Sequence, residues 1–403
     1  MAVIKKGKAS FTIIGEAKVN DYTYRIDAKS ERSDWIYNSL NLGIDCGEKH
    51  GTVYVDMMGG YGAERDNVLY VHGKDDEGRD DFQNRFTIDW DDRFNETFLE
   101  DVGDLNFIRV GLEKDKNDKV FYKDFLSEYD AILYIQEHLQ DGMVVNVKGD
   151  LEYSLYNDRV NMNKRIKSIV LSKVDDVSKY KATFTQTMLL TKDSVNLRNA
   201  DKAKGIIPIY AKVPEYQKEY KGKVIRKTIP LDFTFEYEVD LTNKELVTKI
   251  IDKVFKVRRD VTEITFEGDF IEGGALVTVT EDDIPDDIKE LIEMGVYTQE
   301  EALAKCTENT SRERRMVLRK PLILMQGGEG NKIPAIQKFE RKYTEEDLVL
   351  DFMIGDEEEV DTDEDGFIDV DDETLDELGW LDNLWSVWVI LFNTYNKHTI
   401  KSW

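Results

Sequence analysis

Apolar and polar residues alternate between Met143 and Leu155, with Val144 as the one apolar residue in the polar row. With Gly149 counted on the apolar side, the alternation predicts a long strand that has one buried side and one solvent-facing side. Asn157-Asp158 then supplies two residues that favour a tight turn, and apolar residues are interspersed with cations in the stretch that follows. The pattern predicts a long β-hairpin with a basic outer side.

Further strands, separated by turn residues, are predicted before this hairpin over residues 10–74 and again over residues 107–125. Residues 75–106 are polar and irregular, and we expect them to leave the sheet as a long excursion. A helix is predicted at Tyr129–Leu139, directly before the hairpin. Strands, a helix and a final hairpin are the order of a small five-stranded OB barrel, although hairpins with a charged outer side also occur in other β-rich domains.

The chain after residue 177 repeats this order of elements. Three predicted strands are followed by an amphipathic helix at Asn243–Val257 and then by a further strand. Phe266–Phe270 has the same pattern as Val147–Leu151, with a Gly-Asp pair in its second half, and a basic strand follows in both units. The repeat predicts two related barrels in tandem, with a helical insertion at residues 282–306 in the second.

Acidic residues are concentrated in one part of the chain. The net charge is −27, but residues 344–378 alone contain 18 Asp or Glu and no Lys or Arg. The preceding chain is much closer to neutral and contains basic islands, of which residues 202–227 hold eight Lys or Arg and two Glu. An acidic tract of such low complexity is predicted to be disordered.

These patterns together predict a mainly β protein with minor α content. It contains two tandem OB-like five-stranded barrels with insertions, followed by a disordered acidic C-terminal tail. A length of 403 residues gives each barrel room for its own core. The predicted regions are an OB-like domain at residues 1–177, a second OB-like domain at 178–343, the acidic tail at 344–378 and an aromatic C-terminal segment at 379–403.

The sequence motifs of common catalytic sites are largely missing, although carboxylates are plentiful. The four histidines have no partner at metal-binding spacing, and the chain has no catalytic-serine motif or phosphate-binding loop. Cys46 and Cys306 lie far apart, which indicates a reduced setting. The N-terminus lacks the apolar core of a signal peptide, and the apolar run Trp385–Phe392 is too short to span a membrane. We predict a non-catalytic cytoplasmic protein that has no membrane partner.

Aromatic and basic residues occur together on the strands of the first predicted barrel. This combination suits single-stranded nucleic acid, because rings stack on unpaired bases while Lys and Arg contact the phosphates. Tyrosine is also common in half-buried strands, so each ring taken alone has an ordinary structural explanation. The set as a whole predicts a surface for single-stranded DNA, formed by Tyr22, Tyr24, Arg25, Trp35, Tyr37, Tyr54, Tyr70, Lys148, Tyr153, Tyr156, Arg159, Lys164, Arg165 and Lys167.

Three stretches of residues 1–175 resemble phage-encoded single-stranded DNA-binding proteins of the OB-fold type: WIYNSLNLGIDCG, VYVDMMGGYG and DGMVVNVKGDLEYSLYNDR. The resemblance implies a protein that coats and protects unpaired DNA in the host-cell cytoplasm during replication or recombination. It implies that the acidic tail recruits replication or recombination proteins, and by its charge the tail is also expected to compete with DNA. The second barrel and the aromatic segment depart from the family pattern, so the stoichiometry and the tail partners stay open.

One motif in the acidic tail predicts a different chemistry. The sequence DTDEDGFIDVDD has the spacing of a calcium-binding loop, with an aspartate in place of the usual bidentate glutamate, although acidic tracts readily produce such spacings. A calcium-binding structural or interaction protein is therefore the alternative function, and a β-rich virion component that binds no nucleic acid is a third. The candidate Ca2+ ligands are Asp361, Asp363, Asp365, Phe367, Asp369 and Asp372.

Overall fold

The computed structural model describes residues 2–349, apart from residue 32, residues 157–158, 221–222 and 327–332, and most of residues 274–313. The fold is mainly β, as the alternation of apolar residues predicts. The N-terminal half contains β1 Ala9–Lys18, β2 Tyr24–Lys29, β3 Trp35–Asp45, β4 Thr52–Gly62, β5 Val68–Lys74, β6 Asp80–Asp89, α1 Glu96–Leu99, β7 Ile108–Lys114, β8 Val120–Phe125, α2 Glu128–His138, β9 Val144–Tyr156 and β10 Arg159–Leu171.

The C-terminal half has a similar sequence of elements. Helix α3, at Lys244–Ile250, continues as a π-helix over Ile251–Phe255, within the range predicted for the amphipathic helix. The strands are β11 Lys181–Leu190, β12 Ile206–Tyr220, β13 Lys223–Glu238, β14 Val261–Glu272, β15 Arg314–Pro321, β16 Ile323–Gln326, β17 Ile333–Ile336 and β18 Lys338–Tyr343.

Five strands of the N-terminal half close into a barrel. β1 pairs antiparallel with β3, and β3 pairs antiparallel with β4. β4 meets β10 in parallel, β10 pairs antiparallel with β9, and β9 returns to β1. Helix α2 lies between β4 and β9, and the Ser127 hydroxyl caps its first turn by accepting a hydrogen bond from the Tyr129 amide. This connectivity is that of the predicted five-stranded OB barrel.

A second barrel closes in the same order. β11 pairs with β12, β12 pairs with β13, and β13 meets β15 in parallel. β15 then pairs with β14, and β14 pairs with β11, each antiparallel. Helix α3 occupies the place that α2 takes in the first barrel. The prediction of two tandem OB-like barrels is confirmed.

The Gly-Asp pair of the sequence repeat occupies equivalent positions in the two barrels. A Cβ atom on Gly149 would lie 1.8 Å from the carbonyl oxygen of Arg165, and one on Gly268 would lie 2.3 Å from the ring of Phe184. In each barrel the strand opposite this glycine contains a β-bulge, at Ile166–Ser168 and at Leu318–Lys320. A close approach of backbone and ring therefore requires glycine at both places.

The two barrels share one sheet and one hydrophobic core. β1 pairs antiparallel with β11 from Ala9↔Gln186 to Ile14↔Lys181. The imidazole Nδ1 of His50 lies 2.8 Å from the carbonyl oxygen of Phe270, which links the β3–β4 turn to β14. The boundary predicted after residue 177 falls in the 3-10 turn Val177–Lys179, between β10 and β11. The barrels are thus packed against each other and are not joined by an extended linker.

The long connection between β4 and α2 contains more regular structure than its sequence predicts. β5 and β6 form a separate hairpin, whose Val71 and Ile88 make a small core with Val102. β7 and β8 extend the barrel sheet, because β7 pairs in parallel with β10. The predictions that β5 is a barrel strand and that residues 75–106 are irregular are therefore wrong. Most side chains of β6 are solvent-exposed, and its apolar–polar alternation is confined to Phe86–Asp89.

Several predictions concern residues outside the described part of the chain. They include most of the helical insertion, the acidic tail beyond Val349, the aromatic segment, and all six candidate Ca2+ ligands between Asp361 and Asp372. Among the residues that are described, no helix is long and apolar enough to span a membrane. The same residues contain no cluster of three or more His, Cys, Asp or Glu arranged to hold a metal ion.

Candidate nucleic-acid interface

The outer face of β3 and β4 follows from the alternation of their side chains. In β3, Leu40, Leu42 and Ile44 point into the barrel and are buried. Residues of the opposite parity, Trp35 and Tyr37 among them, therefore point outward. In OB folds, the face formed by the second and third barrel strands is the one that binds oligonucleotides. β3 and β4 are those strands here.

Two rings are stacked at one end of this face. The ring centroids of Trp35 and Tyr37 lie 4.7 Å apart with an interplanar angle of 16°. Their cross-strand partners on β4 are Gly62 and Gly60. A Cβ atom on Gly60 would lie 2.8 Å from the indole nitrogen of Trp35, so glycine leaves the space that the indole occupies. The local sequence thus combines two rings on β3 with two glycines opposite.

A cation completes this stack. Arg25 of β2 is paired with Ser39 of β3, and its guanidinium carbon lies 5.9 Å from the centroid of the Tyr37 ring. Tyr37 is only 3% exposed, whereas Trp35 is half-buried and Arg25 is exposed. Trp35 and Arg25 can therefore reach a ligand, while Tyr37 supports them from beneath. We call Arg25, Trp35 and Tyr37 the stacking site.

The other predicted tyrosines of the first barrel lie farther away. Tyr54 belongs to the same outer face, but its partner on β3 is Gly43, so it lies roughly 26 Å along the strands from Trp35. Tyr22 is 73% exposed in the turn before β2. Tyr24 packs against the core, and burial raises the pKa of its hydroxyl to about 12. Tyr70 lies on the β5–β6 hairpin, outside the barrel.

Two residues of the β9–β10 hairpin are buried, which corrects their assignment to the DNA surface. Tyr153 is 2% exposed; its hydroxyl donates to Gln186 Oε1 at 3.0 Å, and its ring packs edge-on against Phe233. Lys164 is 6% exposed and its ammonium group donates to the carboxylate of Glu272. The inner side of the hairpin therefore contacts the second barrel. Tyr153 and Lys164 stabilise this contact through Gln186 of β11 and Glu272 of β14.

The remaining cations of this hairpin differ in availability. Arg165 is held between Asp56 and Glu152, with 3.1 Å from its Nε to Glu152 Oε2. Lys167 is partly exposed and lies 3.9 Å from Glu128. Lys148 and Arg159 are exposed and form no ion pair with any residue that the structure describes. The side chain of Tyr156 lies outside the described part of the chain.

The second barrel has an outer face that the sequence analysis did not identify. On β12, residues two positions apart point outward, and Tyr210 and Tyr216 are 41% and 48% exposed. Lys212 lies between them and is paired with Asp232 of β13 at 2.7 Å. This face is recognisable in the sequence, because every second residue from Tyr210 to Tyr220 is a tyrosine or a lysine, except for Pro214. The outward row consists of Tyr210, Lys212, Pro214 and Tyr216; the sequence pattern continues through Lys218 and Tyr220, but the ladder is irregular there and Tyr220 packs against the core.

Exposed cations lie at the ends of the same two strands. Lys202 precedes β12, and Lys223 opens β13; both are exposed and neither is ion-paired with a described residue. Lys227 is also exposed and lies opposite Gln217. The basic island noted at residues 202–227 thus lies around the ends of β12 and β13, with Lys227 on the Gln217 side of the sheet and not on the side of Tyr216.

The seam between the barrels opens into a cleft of about 510 Å3. Lys6 and Lys8 line it from the segment before and at the start of β1, opposite Asp150 of β9 and Thr185 of β11. Lys6 is bonded to the buried carboxylate of Glu215 at 2.5 Å. The cleft therefore has one cation engaged by the protein and a second, Lys8, at its rim.

Comparisons with known proteins identify similar structures and the family of this chain. Two structures of the single-stranded DNA-binding protein from Thermus aquaticus are similar to this chain over 66% of its length. The wild-type structure has 10% identity, a TM-score of 0.29 and 87% of its own chain covered. A deletion mutant has 11% identity, a TM-score of 0.28 and 88% covered. No curated protein sequence matches this chain. The YorF family model matches residues 69–272, just over half of the chain, and the chain therefore belongs to the YorF family.

Proposed function

We propose that this chain is a non-catalytic protein that binds single-stranded DNA, and that it coats and protects unpaired DNA during phage replication or recombination in the host-cell cytoplasm. The observation that carries the proposal is the stacking site on the outer β3–β4 face. Trp35 is held in place by Tyr37 and by the two glycines opposite, and Arg25 lies beside it. A preformed aromatic surface with an adjacent cation suits an unpaired base and its phosphate.

The outer β12–β13 face supports a role for the second barrel in the same function. Tyr210 and Tyr216 are exposed on a strand whose outward lysines can contact phosphates. The two faces carry the same residue types in different proportions. We therefore propose that both barrels bind one strand of DNA, with base stacking dominant on the first and phosphate contacts dominant on the second.

The acidic tail has two roles in this proposal. Its 18 acidic residues are tethered to the basic surfaces of the barrels at high effective concentration. The tail therefore competes weakly with DNA, and it becomes available to replication or recombination proteins when DNA displaces it. The competition also disfavours indiscriminate binding to duplex.

The test is a titration of labelled single-stranded DNA, duplex DNA and single-stranded RNA of one sequence, followed by fluorescence anisotropy at several salt concentrations. We expect single-stranded DNA to bind more tightly than duplex, because a base in duplex cannot stack on Trp35. We also expect affinity to fall steeply with salt. Absence of binding to any of the three at low salt would show that the proposed function is wrong.

A further inference from the structure

A small hairpin stands apart from the sheet of the two barrels. Among the described strands, β16 and β17 pair only with each other, in a two-stranded sheet with the register Ile323↔Ile336 and Met325↔Pro334. Cross-strand partners share a face, so these four residues form one apolar surface. Ile323, Met325 and Ile336 are 60%, 59% and 41% exposed. We call this surface the β16–β17 apolar face.

An exposed apolar face of this kind needs a partner. A two-stranded hairpin is marginally stable in water, and it gains stability only when its apolar side is covered. Contiguous exposed apolar residues mark interaction sites on soluble proteins. On the opposite side of the hairpin, Leu324 and Ala335 are half-buried and Ile333 is exposed, so the continuous exposed apolar surface is the one formed by Ile323, Met325, Pro334 and Ile336.

We infer that the β16–β17 apolar face binds residues 380–392 of the same chain. This stretch, WLDNLWSVWVILF, contains a single charged residue, Asp382. It matches the face in chemistry, because large aromatic and branched side chains would cover Ile323, Met325 and Ile336 and remove their apolar surface from water. The inference does not depend on nucleic-acid binding.

The length of the intervening chain permits this contact. β18 begins two residues after β17 ends and spans roughly 20 Å, and the described chain ends at Val349 a few residues farther on. About 30 residues separate Val349 from Trp380, and a flexible chain of that length has an end-to-end distance of roughly 30 Å. Residues 380–392 can therefore reach the β16–β17 apolar face without strain.

Charge favours the same arrangement. The connecting residues belong to the acidic run at 344–378, which contains no Lys or Arg. Residues 331–343, from the β16–β17 turn to the end of β18, contain four Lys or Arg and one Glu. Arg341 is exposed on β18 and has no ion-pair partner among the described residues. The acidic connection would thus pass a basic strand on its way to the apolar face.

Oxidative footprinting of methionines tests this inference on the full chain. Met325 lies on the apolar face, and Met294, which is 71% exposed, is the internal reference. Three proteins are compared: the full chain, a truncation after Leu378 that keeps the acidic run, and a truncation after Val349. We expect Met325 to be oxidised several-fold more slowly in the full chain than in both truncations, while Met294 reacts equally in all three.

Each other outcome would overturn the inference in a distinct way. Equal oxidation of Met325 in the three proteins would leave the face to residues 274–313 or to a different protein. Protection that rises with protein concentration would assign it to a second copy of the chain. Protection that survives truncation after Leu378 and is lost after Val349 would assign it to the acidic run.

A second measurement observes the proposed occupant directly. Replacement of Trp35 and Trp90 by Phe leaves tryptophan only at positions 380, 385, 388 and 403. In this background, Ile336→Asp should shift the emission maximum to longer wavelength, because the tail rings would return to water. Ala335→Asp, on the opposite side of the same strand, is the matched control and should leave the emission unchanged. An unchanged emission in Ile336→Asp would contradict the inference.

Discussion

The two barrels have the same strand order and the same glycine opposite a bulge, yet their outer faces differ. In the first, β3 and β4 have 11 residues each, and a stacked Trp–Tyr pair lies across two glycines. In the second, β12 and β13 have 15 and 16 residues, and single exposed tyrosines alternate with lysines. The shared fold sets where a binding face lies, and the outward side chains decide what that face can bind.

The cations of the two barrels are also used differently. In the first barrel, Arg165 and Lys164 are engaged by carboxylates. In the second barrel, Arg315 and Arg319 of β15 are likewise held by Glu236, Glu238 and Asp269, but the lysines at the ends of β12 and β13 lie on the surface. Because Lys148 and Arg159 of the first barrel are exposed as well, the proposed division, with stacking mainly on the first barrel and phosphate contacts mainly on the second, needs the direct tests below.

The largest expected effect concerns the contact between the barrels. In Lys164→Ala, the Glu272 carboxylate stays buried without its partner, so the free energy of unfolding should fall by about 3–5 kcal/mol. Lys167→Ala, three residues away in the β-bulge and partly exposed, should cost less than about 1 kcal/mol. Urea denaturation gives both values.

The same two variants separate a structural role from a binding role. Lys164→Ala protein that remains folded should bind single-stranded DNA as the parent does, because Lys164 faces the second barrel. A weaker affinity without a loss of stability would return Lys164 to the DNA surface, where the sequence analysis had placed it.

The next effect concerns stacking on the first barrel. Trp35→Ala should weaken binding of single-stranded DNA by about 1–3 kcal/mol, because one base loses its stacking partner. Trp90→Ala is the matched control, since Trp90 is also half-buried but packs against Arg93 and against Tyr61, whose side chain is on the other side of β4 from the stacking site. Anisotropy titrations measure affinity, and thermal denaturation measures stability. Equal affinity losses in the two variants would move the stacking site elsewhere.

These positions also show what a sequence can reveal of such a protein. Both barrels were predictable, because each strand has one wet side and the Gly-Asp repeat marks equivalent strands. The outward position of Trp35 and Arg25 follows from the same alternation. Lys164 was not predictable: a cation in an apolar row was interpreted as a surface residue, and its partner Glu272 lies 108 residues away. The exposed tyrosines of β12 were recognisable by their spacing, but their exposure depends on tertiary packing.

A smaller effect should distinguish the phosphate contacts of the two barrels. Lys218, Lys223 and Lys227 are replaced by Gln in one variant, and Lys148, Arg159 and Lys167 in the other, so each loses three positive charges. For a single strand, each lost phosphate contact lowers the slope of log affinity against log salt by about 0.7. We expect a slope change of up to about 2 for the β12–β13 variant and a smaller one for the β9–β10 variant. The reverse order would assign the phosphate path to the first barrel.

The smallest effect concerns the proposed competition between the acidic tail and DNA. Truncation after Val349 is preferable to one after Tyr343, because the Asp347 carboxylate accepts hydrogen bonds from the Ala2 and Thr344 amides. The truncated protein should bind single-stranded DNA more tightly, and the gain should shrink as salt rises, since the competition is electrostatic. If Asp361–Asp372 form a calcium loop, Ca2+ should reproduce part of this gain in the full chain, and a chelator should abolish it. Equal or weaker affinity of the truncated protein at low salt would exclude competition, and the tail would then act only through its partners. If the tail binds the second barrel, its competition depends on the lysines there. The increase in DNA affinity on truncation should then be larger in the β9–β10 variant, which keeps those lysines, than in the β12–β13 variant, which has lost them.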